Sequence, residues 1–238
     1  GAPEVTAGPL EVLRYGPEGD VAVAPNLSVT FNQPMVALTG LSDLAKGEVP
    51  VRLSPQPEGQ WRWVGTKTLL FEPAAKTGFA AGRFPAATQY TVEIPAGTTS
   101  ATGGKLDRGV TFTFTTPAPA VEGSFPVSGP TRRDTPLFIS FNQRIDPAAV
   151  LKTISVKAGE RTYALELIDE DEAKADETLS SRVRGAQEGR WLAFRTTEPL
   201  PADTTVTVTV GPGTPSAEGP LTSAAAETYS FRTYGPLK

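Results

Sequence analysis

The feature that most constrains the fold of this chain is an internal repeat. Residues 26–35 read NLSVTFNQPM and residues 136–145 read PLFISFNQRI, so both contain an apolar segment that ends in Phe-Asn-Gln. Two more matches follow in the same order: residues 84–96 (FPAATQYTVEIPA) with 200–212 (LPADTTVTVTVGP), and 110–116 (VTFTFTT) with 227–233 (ETYSFRT). Three matches in one order indicate a duplicated unit of about 110 residues, the size of one β-sandwich domain.

The repeat predicts two domains, at residues 8–117 and 122–234. The predicted linker between them, residues 117–123, reads PAPAVEG, and its prolines favour a stiff, extended connection. We therefore expect this linker to act as a hinge or spacer. The chain begins Gly1-Ala2-Pro3 without a Met, which indicates a fragment of a longer protein.

Most segments of the chain alternate apolar and polar residues with period two, which predicts half-buried β-strands. Gly and Pro contribute 23 residues each, and so many helix breakers favour short strands joined by turns. We predict an all-β fold of two tandem antiparallel immunoglobulin-like β-sandwiches. The predicted strands are residues 11–14, 27–31, 49–53, 62–64, 68–72, 89–94 and 111–115, then 137–141, 154–157, 163–168, 190–195, 205–210 and 228–232.

Two short helical turns and one insertion interrupt this pattern. Val36–Ala45 carries leucines three residues apart, and Pro147–Thr153 follows Asp146, which is a favoured N-cap residue. We predict a helical turn in both segments. Asp169–Gly189 has no counterpart in the first unit and is polar, so it is either a short exposed helix or a mobile loop.

The composition excludes the commonest catalytic sites. The chain has no His and no Cys, which excludes the usual nucleophile–base pairs and ordinary zinc sites. The 22 basic and 26 acidic residues give a net charge of −4, which does not suit nucleic-acid binding. Gly97–Gly104 lacks the spacing of a phosphate loop and favours a hairpin connection. We therefore predict no enzyme activity, no catalytic, cofactor-binding or metal residues, and no cofactor.

An acidic segment and an aromatic group are the remaining binding candidates. Residues 169–177 concentrate carboxylates that could bind Ca²⁺, but they lack the alternation that aims successive carboxylates at one ion. A solvated insertion is therefore the favoured interpretation. Trp61 and Trp63, with Phe71, could form a stacking platform for sugars or a protein, but two residues on one strand face favour core packing. Trp191, just before Phe194, is expected to be their counterpart in the second unit.

The amides at the end of the repeated strand have a structural interpretation. Asn32 and Gln33 follow the first copy, and Asn142 and Gln143 follow the second. Side-chain amides at a strand exit can bind loop backbone. Because both units carry the same pair, a shared structural role is favoured over two ligand sites.

These residues also carry a family resemblance, strongest over Leu27–Pro117 and looser after Glu122. The matching segments are FNQPMVALTGL (Phe31–Leu41), VPVRLSP, QWRWVGTKTLLFEPA (Gln60–Ala74) and RFPAATQYTVEIPAGTTSATGG (Arg83–Gly104). They resemble the N-terminal region of bacterial alpha-2-macroglobulins, and the second half resembles the bacterial immunoglobulin-like domain often found beside it.

The resemblance implies a large protein of the bacterial periplasm or cell envelope that traps proteases and is often held by a lipid anchor outside this fragment. In many proteins of that family a Cys–Gln thioester binds the protease covalently. Without Cys, this chain has no such thioester. The expected role is therefore a non-catalytic, monomeric scaffold whose partners are the neighbouring domains of the parent, with target proteases met only through the full-length protein. The alternative is an adhesin or surface-array module of the same fold, binding glycan, protein or Ca²⁺.

Overall fold

A computed structural model describes residues 7–37, 48–75 and 82–236 of the 238-residue chain. The chain divides into two compact units, with the division after Pro117. We call them domain 1 and domain 2. The predicted all-β fold of two immunoglobulin-like sandwiches is confirmed.

The described part of domain 1 contains eight strands. They are β1 (Val12–Gly16), β2 (Gly19–Asp20), β3 (Leu27–Phe31), β4 (Arg52–Ser54), β5 (Gly59–Val64), β6 (Thr68–Pro73), β7 (Gln89–Ile94) and β8 (Val110–Thr115). One sheet has the order β1-β3-β6-β5 and the other has the order β2-β8-β7-β4. Their inward residues, such as Phe31, Phe71 and Phe114, are fully buried in one core between the sheets.

Domain 2 repeats this plan and adds helices. Its elements are β9 (Val121–Phe125), β10 (Pro130–Thr131), β11 (Leu137–Phe141), α1 (Pro147–Leu151), β12 (Ile154–Ala158), β13 (Arg161–Tyr163), β14 (Leu165–Ile168), α2 (Glu170–Ala175), α3 (Ser180–Gly185), β15 (Trp191–Thr196), β16 (Thr205–Val210) and β17 (Glu227–Thr233). The sheets have the orders β9-β11-β15-β14 and β10-β17-β16-β12-β13.

Equivalent strands have the same register in the two domains. Leu27 pairs with Phe71 in domain 1, and Leu137 pairs with Phe194 in domain 2. The strands are antiparallel except at one edge of each sandwich, where β2 runs parallel to β8 and β10 runs parallel to β17. These two-residue edge pairs are the departure from the predicted antiparallel pattern.

The second and third repeat matches meet at one corner of each sandwich. In domain 1 the Thr116 hydroxyl donates to the Pro85 carbonyl at 2.8 Å, and in domain 2 the Thr233 hydroxyl donates to the Pro201 carbonyl at 2.6 Å. The chain turns at Ala87 and at Asp203, whose φ values are 54° and 48°. Left-handed backbone at non-Gly residues is uncommon, so this shared corner explains why Pro-Ala and the closing Thr recur together.

One sequence prediction needs correction at the domain junction. The predicted linker 117–123 overlaps β9, because Val121–Phe125 pairs with β11. The sequence pattern did not predict this edge strand, because Glu122 and Gly123 leave it with little apolar alternation. The helical turn predicted at Pro147–Thr153 is present as α1, and the Asp146 carboxylate caps it by accepting from the Ala148 N–H at 3.1 Å. Most of the turn predicted at Val36–Ala45, residues 38–45, lies outside the described residues.

Candidate functional site: the helical insertion of domain 2

The insertion lies on a sheet face that has become apolar. In β3 the outward residues are Ser28 and Thr30, and the Thr30 and Thr68 hydroxyls bond each other at 2.9 Å across the sheet. At the position of Ser28, β11 carries Phe138, which is 4% exposed. Exposing an aromatic side chain at this position to water would forfeit about 1.5–3 kcal/mol of hydrophobic burial free energy. The sheet of domain 2 therefore needs a cover.

The segment predicted as a helix or a mobile loop forms that cover as two short helices, α2 and α3. The Asp169 carboxylate accepts from the Glu172 N–H at 2.8 Å and caps α2. The Asp176 carboxylate accepts from the N–H groups of Thr178 and Leu179 at 2.8 and 3.0 Å, just before α3. Both carboxylates satisfy backbone donors that a helix start leaves unpaired.

The underside of the insertion forms a separate small core. Its buried residues are Phe138, Ile168, Ala173, Leu179, Val183 and Ala193, with Phe125, Ala186 and Trp191 packed at its edge. Leu179 is fully buried although its neighbours in sequence are polar. Both faces of the β11–β15 pair are therefore covered, one by the second sheet and one by the insertion.

Two arginines fasten the insertion to the sheet. Arg195 on β15 pairs with Glu172 of α2 and lies 3.8 Å from Glu166 on β14. The hydrogen bond to Glu172 raises the pKa of Arg195, so the guanidinium stays charged at all working pH values. On the other side, the Arg182 guanidinium of α3 lies 4.5 Å above the ring of Phe125, a cation–π contact.

Four of the six carboxylates at 169–177 have partners in the insertion or on the sheet. Asp169 caps α2, Asp176 accepts from two N–H groups just before α3, Glu170 pairs with Lys174 at 2.8 Å, and Glu172 pairs with Arg195. Across residues 7–37, 48–75 and 82–236, no group of three or more acidic side chains is arranged to hold a metal ion. The geometry agrees with the solvated-insertion interpretation.

The aromatic candidates occupy two different environments. Trp61 and Trp63 are half-buried and pack against the core of domain 1, with Trp61 edge-on to Phe71 at 5.0 Å. Trp191, however, is equivalent to Thr68 rather than to either domain 1 tryptophan, because it pairs with Ser140 as Thr68 pairs with Thr30. It stacks on Phe138 under the insertion at 5.7 Å. The expected correspondence of Trp191 with Trp61 and Trp63 is therefore wrong.

The Phe-Asn-Gln amides fix the segment that enters each domain. In domain 1 the Asn32 carbonyl oxygen accepts from the Glu11 N–H at 2.8 Å, and the Gln33 amide donates to the Gly8 carbonyl at 2.8 Å. In domain 2 the Asn142 oxygen accepts from the Ala120 N–H at 3.0 Å. These bonds tie down the strand exit, as the repeated pair predicts.

Gly97–Gly104 lies in the connection between the adjacent antiparallel strands β7 and β8, as a hairpin interpretation requires. The Ser100 hydroxyl in this loop donates to the Gln33 side-chain oxygen at 2.6 Å. A β-carbon at Gly104 would lie 2.7 Å from the Gly8 carbonyl oxygen and closer still to the Gln33 side chain. Glycine is therefore required at position 104 for packing rather than for phosphate binding.

Two clefts flank the insertion. The apolar cleft, about 440 Å³, lies between α1 and the start of α2 and is lined by residues such as Ile145, Ile168 and Trp191. The polar cleft, about 690 Å³, lies between the β9–β11 connection, the α2–α3 turn and the end of β15. Both volumes fall in the range of small-molecule sites, about 300–1,000 Å³.

Sequence reasoning missed these clefts and the apolar outer face. A signal was present in LFISF (Leu137–Phe141), which is nearly continuous in apolar residues where LSVTF (Leu27–Phe31) alternates. A continuous apolar strand indicates burial on both faces. That signal could have placed the insertion over β11.

Comparison with known proteins gives matches at two levels. A sequence profile of the bacterial Ig-like domain matches residues 8–116 and again residues 117–233. The protein named Circularly permutated Ras protein 2, from Dictyostelium discoideum, is 24% identical over an alignment of 223 residues, and the match covers 87% of this chain and 6% of that protein. The chain thus spans a small part of this curated relative.

Solved structures are similar only at low scores. The domains MG0-NIE-MG1 of native alpha-2-macroglobulin from Escherichia coli give a TM-score of 0.30 at 12% identity, over 94% of this chain and 71% of that one. L,D-transpeptidase 3 from Mycobacterium tuberculosis gives a TM-score of 0.28 at 14% identity, over 67% of this chain and 58% of that one. Scores this low carry no argument about function.

None of the helices within the described residues is long and apolar enough to cross a bilayer. The two profile matches together cover nearly the whole chain, one for each sandwich. The chain therefore belongs to the bacterial Ig-like domain family, as two consecutive copies of that domain.

Proposed function

We propose that this chain is a non-catalytic scaffold within a larger extracytoplasmic bacterial protein, and that the parent is a protease inhibitor of the alpha-2-macroglobulin type. Membership of the bacterial Ig-like family supports the scaffold role. The segments 31–41, 60–74 and 83–104, which resemble the N-terminal region of bacterial alpha-2-macroglobulins, support the choice of parent. The periplasm or cell envelope is the compartment that this parent implies.

One observation carries the proposal: the polar motifs of each domain form hydrogen bonds and ion pairs within that same domain. The repeated amides bind backbone at the entry of each sandwich, and the acidic run caps and pins the insertion. These amide and acidic side chains therefore stabilise the domain that carries them.

Each domain also holds its own boundary residues. In domain 1 the Ala87 N–H donates to the Pro117 carbonyl at 2.8 Å. In domain 2 the Asn142 N–H donates to the Ala120 carbonyl at 3.1 Å. Chain ends that are bonded to their own sandwich fray little. A spacer needs such ordered ends.

The experiment compares the fragment with its parent protein. Trypsin digestion of a large protein substrate and of a small peptide substrate is measured with the fragment, with the parent, and with a parent lacking residues 7–236. The expected result is that only the intact parent protects the large substrate, while the small peptide is cleaved in every mixture. Protection by the fragment alone, or no protection by the intact parent, would contradict the proposal.

A further inference from the structure

The polar cleft of domain 2 has the lining of a binding site. Its floor comes from residues 125–136 and one wall comes from Asp176 and Thr178 in the insertion. Domain 1 has no insertion, and its matching segment, residues 17–25, contains no Arg. The features that make the cleft are therefore specific to the second copy.

The charged residues that line the cleft compensate one another. Arg132 holds Asp134 through two hydrogen bonds of 3.0 and 2.8 Å. The other charged lining residues are held as well: Arg195 by Glu172, Glu198 by Arg161, and Asp176 by two backbone N–H groups. Two guanidiniums facing three carboxylates give no excess positive charge, so the cleft does not suit a phosphate, a sulfate or an acidic peptide.

Six Ser and Thr side chains line the cleft. The hydroxyls of Thr131, Thr135 and Thr196 donate to backbone carbonyls, and the other three are available. The side chains of Ser128, Thr178 and Thr197 are exposed, and within the described part of the chain no residue accepts from or donates to their hydroxyls. Each hydroxyl offers one donor and two acceptor positions. A ligand that carries its own hydroxyls on several sides can satisfy such a lining, because every group on it both donates and accepts.

The cleft also offers apolar surface of a suitable kind. Tyr234 lines it and is 55% exposed, and Pro126 and Pro199 lie on the same lining. A tyrosine ring combines an apolar face with a polar tip. A sugar ring has the complementary form, with C–H groups on its face and hydroxyls around its edge.

We propose that the polar cleft binds a neutral oligosaccharide. The hydroxyls of the oligosaccharide form hydrogen bonds with the side chains of Ser128, Thr178 and Thr197. They also bond the planar Arg132–Asp134 pair, and one sugar ring packs on Tyr234. This binding is independent of the proposed scaffold role, because a scaffold can be anchored to a glycan without acquiring catalysis.

The test is a titration of the ¹⁵N-labelled chain, followed by amide chemical shifts, with three neutral tetrasaccharides: chitotetraose, cellotetraose and maltotetraose. At least one of them is expected to shift amides in residues 128–135, 176–178 and 196–199 with a Kd of about 1 mM or tighter. Amides of domain 1 should not move. Tyr234→Ala and Arg132→Ala should each weaken binding at least about tenfold, a loss of about 1.4 kcal/mol.

The matched control is Arg62→Ala, which removes an exposed Arg from the Arg62–Glu72 pair of domain 1 and should leave the affinity unchanged. Unshifted spectra with all three sugars at about ten times that Kd would overturn the proposal, as would binding that survives both cleft substitutions. Two further outcomes would overturn the proposal by assigning the cleft to another ligand class. One is tighter binding of a sulfated tetrasaccharide than of the neutral ones, and the other is a Pro-rich peptide that shifts the same amides more strongly.

Discussion

Strands β3 and β11 occupy the same place in the two domains, and their inward residues are nearly interchangeable. Leu27 and Phe31 match Leu137 and Phe141, and all four are buried in the respective cores. The outward residues differ: Ser28 in β3 is half-buried and pairs with Leu70, while Phe138 in β11 lies under the helical insertion. The inner face thus preserves the sandwich, and the outer face decides whether a domain carries an additional layer.

The difference shows how a duplicated fold acquires new surface. Residue alternation separates the two faces of a strand, so the outer face can change without disturbing the core. Once Phe138 and Ala193 make that face apolar, a cover becomes necessary, and the rim of the cover creates the polar and apolar clefts. Domain 1, with Thr30 and Thr68 on the equivalent face, needs no such layer.

The largest expected effect tests the outer face directly. Phe138→Ser places the domain 1 residue in domain 2 and should cost about 3–5 kcal/mol of domain 2 stability, as for other large-to-small substitutions in cores. Hydrogen exchange of domain 2 amides measures it. Ser28→Ala in domain 1 is the control and should change stability by less than about 0.5 kcal/mol. A cost below about 1 kcal/mol for Phe138→Ser would show that the insertion does not depend on the apolar face.

The next effect compares the repeated glutamines. Gln143 is fully buried and accepts from the Ser216 hydroxyl at 2.5 Å, whereas Gln33 is half-buried. Gln143→Ala should cost about 2–3 kcal/mol and Gln33→Ala about 1 kcal/mol, because removing the fully buried Gln143 side chain also leaves a cavity in the packing. Urea unfolding followed by amide signals of each domain gives both values. Equal costs would contradict the dependence on burial.

A pH effect on the stability of domain 2 is expected from Tyr229. Burial raises the pKa of Tyr229 above its ordinary value of 10, and its hydroxyl has no hydrogen-bond partner among the described residues. Because the folded-state pKa is raised, this contribution to stability is complete below pH 10 and is lost as the pH rises toward the folded pKa, by up to about 1.4 kcal/mol per pH unit. Tyr229→Phe should flatten this loss between pH 10 and 11 in urea unfolding. The same slope in both proteins would refute it.

A smaller effect separates the two tyrosines at neutral pH. The Tyr90 hydroxyl donates to the Pro85 carbonyl at 2.8 Å, so Tyr90→Phe should destabilise domain 1 by about 1 kcal/mol. Tyr229→Phe removes a buried hydroxyl without a bond and should leave domain 2 unchanged or slightly more stable. Thermal unfolding at pH 7 measures both. A larger loss for Tyr229→Phe than for Tyr90→Phe would reverse the comparison.

The smallest expected effect concerns Ca²⁺ and the acidic run of domain 2. Asp169 caps α2, Asp176 accepts from two backbone N–H groups, and Glu172 is paired with Arg195, so millimolar Ca²⁺ should shift the melting temperature by less than about 1 °C. A ligand of the folded state would raise the melting temperature with its concentration. A rise that EDTA reverses would show that the run is a metal site after all.

Sequence reasoning was most successful where the signal is local. Strands such as Leu27–Phe31 and Gln89–Ile94 begin and end where alternation predicts, and Asp146 followed by Pro147 predicted α1. It failed at Val121–Phe125, whose pairing with β11 is a tertiary contact that Gly123 and Glu122 do not signal. Trp191 failed for the same reason, since its neighbours depend on strand register across the sheet.

The candidate site was predicted only in part. The acidic residues 169–177 were found, but the pairing of Glu172 with Arg195 depends on contact with β15. The polar cleft could not be predicted, because Arg132, Thr178, Thr197 and Tyr234 are far apart in sequence and meet only through the fold.

The sequence alone determined the duplication, the all-β class and the absence of His and Cys chemistry, because repeats, period-two alternation and composition are properties of the chain itself. The tertiary structure decided where the predicted linker ends and where Trp191 packs. It also decided that the insertion is a second layer over one sheet of domain 2. These depend on which strands become neighbours, and strand pairing joins residues that no local pattern connects.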